Sequence, residues 1–357
     1  MTDQGTVTDQ GTTTDQGTTT DHAVPAPEDS PDTGVAWHYG DPLREQRWLA
    51  SGDALVDLSH RAVVTVAGND RLTWLHDLTT AYLLDLSPGE SRLTLILDPH
   101  GRVEQELHLV ADHECVWLIV ERRATPALIE YLRSMQFLLR VEVRDVTADH
   151  AVVGSIGDRT VPGQIVAWHA PAEFAGTGST PAGEDRGGDA NKYVPTRPGQ
   201  FAAVEHIVPR STLVEAMASA PHRAGTWAWE ALRAAAGVPR AGIDTDSRSL
   251  PHELGWIGPA VHLAKGCYRG QETVARTHNM GRPPRRLVLL HLDGSAEVLP
   301  EPGTPVLAGD RQVGRLGTAA RHHELGPIAL AVVKHRVGPD EPLTVAGVAA
   351  AQEIVVV

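Results

Sequence analysis

Apolar residues along this chain recur at two spacings, and the alternation between them predicts a protein of mixed α and β structure. Residues 62–66, 93–97 and 138–146 are rich in β-branched or alternating apolar residues, as strands with one or two buried faces are. Cys115-Val116-Trp117-Leu118-Ile119-Val120 reads the same way, with Cys115 as a small buried residue. Helical spacing lies between these runs. Asn69 precedes a segment that puts Leu72, Leu75 and Leu78 on one face, and Thr125-Pro126 opens a helix running to about Gln136. Ser211 and Thr226 are residue types that cap helix N-termini, and Gly237 follows Ala234-Ala235-Ala236 as a C-cap glycine would. After Arg286 short apolar runs are separated by Pro-Gly, Gly-Asp and Gly-Pro, which predicts a small antiparallel barrel or sandwich over residues 284–357.

Two segments stand outside this pattern. The start repeats Thr-Asp-Gln-Gly-Thr with a six-residue period, at Thr2, Thr8 and Thr14. Such a repeat has too little apolar surface to offset its ordering entropy, so residues 1–36 are expected to form a disordered acidic tail. Residues 170–191, rich in Gly, Ala, Pro, Thr and acids, read as a surface loop insertion within the region 37–283. That region is expected to hold two intertwined α+β subdomains.

Composition narrows the function classes. At 357 residues the chain exceeds what one core supports, so two or three modules are expected. No apolar stretch approaches the roughly 18 residues that span a bilayer. The formal charge is −14, and residues 1–43 hold eight of the acids and no Lys or Arg, so the remainder is only mildly acidic. This weighs against stable nucleic-acid binding, which depends on phosphate neutralisation by Lys and Arg. The stretch from Arg276 to Arg286, with Arg282, Arg285 and His278, is locally basic and suits either a solvated hinge or an anion. Two cysteines cannot supply a four-thiolate metal site, and no His motif points to a metal. A reducing cytoplasm is expected, since the first basic residue is Arg44 and no leader pattern is present. With no sustained heptad, the expected state is a monomer.

The densest chemistry lies in Lys265-Gly266-Cys267-Tyr268-Arg269-Gly270-Gln271-Glu272. A thiolate is the reactive form of cysteine and a nearby cation favours it, so Lys265 and Arg269 are candidate tuners of Cys267. On an extended backbone Lys265 and Cys267 would share a face. The bland alternative is a tight turn around a small buried cysteine.

This run resembles the K-G-C-[FY]-x-G-Q-E motif of the YgfZ family, the folate-dependent iron–sulfur maintenance proteins. Leu232-Arg233-Ala234-Ala235-Ala236-Gly237-Val238-Pro239 and Pro251-His252-Glu253 resemble motifs of the wider folate-binding superfamily that includes aminomethyltransferase, the T-protein of glycine cleavage. Asp57-Leu58-Ser59, Val66-Ala67-Gly68-Asn69-Asp70 and Leu97-Asp98-Pro99-His100-Gly101-Arg102-Val103 are similar to its N-terminal half. Val313-Gly314-Arg315 and Ile328-Ala329-Leu330-Ala331 are similar to its C-terminal barrel. The resemblance implies an α+β cloverleaf of three subdomains around a hole that holds tetrahydrofolate, closed by a small C-terminal β-barrel. It implies folate contacts at Glu205 and Arg233, with Cys267 as the redox or transfer thiol and Lys265, Arg269, Gln271 and Glu272 supporting its loop.

One departure bears on the reaction. Where T-proteins carry G-G-x-x-D-D, this chain has Gly101-Arg102-Val103-Glu104-Gln105-Glu106, which puts the neutral Gln105 at the folate-facing acid position. An amide donates and accepts hydrogen bonds but does not titrate. The expectation is therefore a folate-binding protein that serves iron–sulfur client or assembly proteins. A folate-dependent aminomethyl or methyl transferase is the alternative, and it would require Glu104 or Glu106 to replace the lost acid. A folate store with a merely structural Cys267 is a third reading.

Overall fold

Buried strands form where the apolar runs are densest, and the computed structural model describes them within residues 22–175, 201–294 and 298–356. The first sheet has the order β5 (Ser91–Leu97), β6 (Val103–Ala111), β7 (Cys115–Val120), β4 (Ala62–Ala67), β8 (Glu142–Asp145). Both faces of β4 are buried, which is why it reads as a continuous apolar run. Val64 and Val66 pack with Trp74 and Leu75 of α2 (Arg71–Leu78) and with Leu128 and Leu132 of α3 (Thr125–Met135). Val63 faces the opposite core. Leu128 and Leu132 are fully buried one helical turn apart, each contributing roughly 2 kcal/mol of transfer free energy.

The second sheet has the order β10 (Val166–His169), β11 (Ala203–Pro209), β9 (His150–Ile156), β3 (Ala54–Asp57), β12 (His222–Ala224). It packs with α1 (Pro42–Ala50), α5 (Leu213–Ala218) and α6 (Thr226–Ala235). The third unit is a closed six-stranded barrel, β13 (Arg285–Leu292), β16 (Gly326–Lys334), β15 (Arg311–His322), β14 (Pro305–Ala308), β17 (Leu343–Val345) and β18 (Val348–Ile354). One apolar core runs through all three units, joining Leu95 and Ile119, Val152 and Ile207, Trp229 of α6, and Leu287 and Leu330 of the barrel. The fold is thus the mixed α and β cloverleaf expected, closed by a barrel. Among the described residues no helix is long and apolar enough to cross a membrane.

Three sequence expectations need correction. The tail read as disordered over residues 1–36 is ordered from residue 22, where β1 (Val24–Pro25) pairs with β2 (Ala36–His38). Composition hid this because the ordering interaction is distant in sequence: buried Asp32 meets Arg240 at 2.8 Å and His60 at 3.3 Å. Residues 1–21 lie outside the described residues. The insertion read as loose over 170–191 begins instead with α4 (Ala172–Ala175), whose Phe174 is only 2% exposed, while residues 176–191 lie outside the described residues. The strand read over 138–146 is shortened to β8, because Phe137 adopts a left-handed φ of 43° and reverses the chain after α3.

Candidate functional site

The two sheets and α6 enclose a narrow cleft of about 550 Å³ including its mouth. It is a slot. Its walls come from both sheets, from α6 and from residues 238–240, and they bring aromatic rings and charges together. Trp168, Phe174, Phe201 and Trp229 line it beside Arg61, Glu106, His108, Glu121, Glu205, Arg233 and Arg240.

Glu205 is the anchor. It sits in mid-strand on β11 at 1% exposure, and a carboxylate buried there requires counter-charges. Arg61 Nη1 donates to its Oε1 at 2.5 Å, and His108 Nδ1 lies 2.8 Å from its Oε2. Burial pushes the Glu205 pKa up, but Arg61 and His108 outweigh that and bring it to about 2. The same burial pushes His108 down, yet Glu205 and Glu106 outweigh it and raise His108 to about 9. His108 therefore carries a proton at neutral pH. Its ring stacks on Trp168 with centroids 3.7 Å apart.

Deeper in the wall, Arg240 bridges Glu121 and Asp32, each at 2.8 Å, and Glu230 at 3.2 Å. Burial, only partly offset by Asp32, lowers His60 to about 4, so it stands neutral in this network. Two buried donors of the lining, Arg61 Nε and Trp229 Nε1, have no partner among the described residues. Native interiors satisfy nearly all such groups, so these two suit an acceptor on a bound molecule.

Arg233 reaches the slot wall as expected, but its N–H groups are engaged. They donate to Glu230, to Asp244 Oδ2 at 2.9 Å, to the Val238 carbonyl and to Thr318 Oγ1 on β15. Its arrangement is that of a brace between α6 and the barrel. Gln105 does not line the slot. On β6 successive side chains alternate faces, and Gln105 shares its face with Leu107 and Leu109, which pack in the α2 and α3 core. The adjacent Glu106 lines the slot, accepts from the Ala241 N–H at 2.8 Å and lies 3.7 Å from His108 Nε2. The slot thus keeps an acid one position beyond the one at which the sequence suggested a loss. Arg61, His108, Trp168 and Arg240 were not anticipated. The available signal was Glu106 and His108 alternating with apolar Leu107 and Leu109 in β6.

The Lys265–Glu272 run forms a braced loop. Cys267 is exposed and free. Lys265 is 5% exposed and points away from solvent: its Nζ donates to the carbonyls of His76, of Thr79 at 2.5 Å and of Ala81 at 3.1 Å, at and beyond the C-terminus of α2. Burial, offset in part by Asp77, lowers its pKa to about 8. These carbonyls are the groups a helix end leaves without intrahelical donors, so Lys265 acts as a cap. The expectation that it tunes the thiol is replaced by this one, because the backbone here is not the extended strand that would align the two side chains. Lys265 also lies 5.2 Å over the ring of buried Tyr268.

At the other end Arg269 pairs with Glu104 of β6 at 3.1 Å and stacks over Tyr131 of α3. Gln271 Nε2 reaches back to the Lys265 carbonyl at 3.4 Å. Glu272 is exposed in the first turn of α7 (Gln271–Met280), where a negative charge suits the helix dipole. Gly270 has φ 82°, and a Cβ there would lie 2.6 Å from the Asp98 carbonyl oxygen and 2.8 Å from Gly101 Cα. Gly101, φ 77°, is equally hemmed in by Gly270 and Thr273. Two glycines therefore let the thiol loop seat directly on the turn that opens β6, the strand carrying Glu106 and His108.

Comparison with known proteins agrees with this architecture. Residues 36–160 match the GCVT N-terminal domain, and residues 285–354 match the CAF17, C-terminal beta-barrel domain. A chloroplastic protein of Arabidopsis thaliana with a provisional transferase name is 27% identical over 74% of this chain, and the chain spans 61% of that relative's length. The aminomethyltransferase of Streptomyces coelicolor is 26% identical over 83% of this chain and 82% of its own. The tRNA-modifying protein YgfZ of Yersinia enterocolitica is 25% identical over 73% of this chain and 78% of its own. The crystal structure of the glycine cleavage aminomethyltransferase T of Bartonella henselae superimposes with a TM-score of 0.70, covering 93% of this chain and 92% of that one at 15% identity, a likeness of fold. With both domain matches in order on one cloverleaf, the chain joins a GCVT N-terminal domain to a CAF17-type C-terminal barrel and is similar along most of its length to proteins named aminomethyltransferase and YgfZ.

Proposed function

We propose that the slot binds a reduced folate by its pterin ring and that the exposed Cys267 loop serves iron–sulfur cluster assembly or repair in client proteins. The observation that carries the folate reading is Glu205, a buried and ionised acceptor facing an aromatic-walled slot beside two unpartnered N–H donors. A pterin is flat, presents N–H donors along one edge and carries a carbonyl acceptor. Glu205 and Glu106 would accept from the donor edge, Arg61 Nε or Trp229 Nε1 would donate to the carbonyl, and the aromatic side chains would cover the ring faces. Tetrahydrofolate, when bound, would supply a one-carbon carrier and an oxidisable ring system. The chain's own part is to hold charge: His108 keeps a proton next to Glu205, and Glu106 is an acid within the slot.

The loop supports the second half of the reading. Cys267 is presented to solvent by a segment anchored at Lys265 and Gly270, so an approaching protein can reach the thiol without unfolding anything. A solvent-facing sulfur can hold iron or sulfur in passing. The resemblance of the loop to the YgfZ motif and the YgfZ-named relatives support this use.

Calorimetric titration of tetrahydrofolate into the wild type, Glu205→Ala and Cys267→Ala, with rescue of a client iron–sulfur enzyme, tests both halves. The expected result is saturable binding that needs Glu205 but not Cys267, with rescue needing both. No binding to the wild type overturns the folate reading. One observation favours a second reading, a one-carbon transferase: Glu106 supplies the slot with the acid that Gln105 lacks. On that reading Glu106→Gln abolishes one-carbon transfer while Cys267→Ala retains it.

A further inference from the structure

On the barrel side of the molecule the antiparallel pairing of β13 with β16 puts Arg285 opposite Lys334 and brings two basic segments, 282–286 and 334–336, side by side. Arg285 turns to Asp246 at 2.7 Å and Glu253 at 2.8 Å and is neutralised. The others are not. Arg282, Lys334, His335 and Arg336, with Pro283 and Pro284, line an open groove of about 1120 Å³ whose lining includes no carboxylate. Among the described residues neither Arg282 nor Arg336 has an ion-pair partner, and Lys334 Nζ donates only to the Gln312 carbonyl. Behind the groove Arg286 is 93% buried; its Nη2 donates to the Val337 carbonyl, but its Nε has no partner, and neither has the buried His335 Nδ1. Burial, and after it Arg286 and Arg282, disfavours a proton on His335.

Like charges gathered without counter-charges destabilise the fold, and in a chain of formal charge −14 solvent-facing acids were available to neutralise them. We propose that this groove binds a compact ligand carrying two or more clustered oxyanions, phosphates or carboxylates, held by Arg282, Lys334 and Arg336. A long polyanion is disfavoured because the groove supplies only a few cationic side chains within a chain of formal charge −14. The groove also lacks aromatic side chains on which bases could stack. The inference is independent of the folate reading, since none of its residues lines the slot.

The test is calorimetric titration of the full chain with pyrophosphate and, separately, with citrate, at 150 and 500 mM NaCl. Saturable binding of either is expected, weakened about tenfold or more in Arg282→Gln/Arg336→Gln and by added salt, and retained within about threefold in Arg282→Lys/Arg336→Lys. Both substituted side chains are exposed and unpaired, so folding is expected to survive, and a matching circular dichroism spectrum verifies it. Which probe binds tells phosphate from carboxylate chemistry. Binding of neither, binding indifferent to the Gln substitutions, or binding only of an RNA oligonucleotide with affinity rising with its length overturns the proposal.

Discussion

Gly266 and Gly270 flank the same cysteine, yet the structure asks different things of them, and this gives a sharp experiment. At Gly270 a φ of 82° costs an L-residue roughly 1–2 kcal/mol. A Cβ there would stand 2.6 Å from the Asp98 oxygen and 2.8 Å from Gly101 Cα, both backbone atoms that cannot rotate away. Forced overlap of this kind costs about 1–3 kcal/mol. Alanine stiffens the unfolded chain, which returns about 0.4–1 kcal/mol. Gly270→Ala should therefore lose roughly 1–5 kcal/mol. Gly266 has no left-handed φ and nothing within 4 Å of its added Cβ, so Gly266→Ala should be neutral or gain up to about 1 kcal/mol. Urea unfolding followed by tryptophan fluorescence reads both. Because Gly270 seats the loop on the turn before β6, its variant should also change the rate at which Cys267 reacts with a thiol reagent. A Gly270→Ala variant within about 0.5 kcal/mol of wild type, or one no worse than Gly266→Ala, refutes the seating.

Lys265→Met should destabilise by about 2–5 kcal/mol, because the carbonyls of His76, Thr79 and Ala81 lose a common donor. Urea unfolding reads this loss, and an unchanged midpoint would remove Lys265 as the cap of α2. Iodoacetamide at pH 8 should add one label per folded chain, at exposed Cys267, because Cys115 is pushed up to about 12 by burial and by Asp112; peptide mapping that finds Cys115 labelled contradicts this. His108, raised to about 9, contributes stability that is complete below its ordinary 6.5 and is lost as pH rises through 9. Glu205, lowered to about 2, contributes stability present above its ordinary 4.5 and lost as pH falls through 2. NMR titration should find the His108 pKa lower in Glu205→Gln than in the wild type, and an unchanged value would remove Glu205 as its main partner.

What could be read from sequence was what local periodicity encodes. The apolar runs of β4 and β7 and the turn-punctuated strands of the barrel declare themselves within a few residues. Glu205 was singled out by the family resemblance alone, since a lone glutamate in Val204-Glu205-His206-Ile207-Val208 reads locally as an exposed strand residue. Its partners were not legible, since Arg61 and His108 lie 144 and 97 residues away and no local rule reaches that far. The same distance hid the pairing of Asp32 with Arg240, without which residues 22–36 look like the start of an acidic tail. Gln105 and Lys265 failed for a different reason: each was placed by adjacency in sequence where geometry decides by face. On β6 one step turns Gln105 into the α2 and α3 core and Glu106 into the slot. In the loop, burial turns Lys265 toward helix carbonyls while Cys267, two residues on, stays in water. These two displacements change the chemical picture together. The acid that counted as missing is in the slot, and the cation that was to activate the thiol holds the loop in place. Slot and thiol loop share one strand: Arg269 and Gly270 grip the start of β6, Glu106 and His108 sit farther along it, and the Gly101–Gly270 contact between them leaves room for no side chain larger than hydrogen.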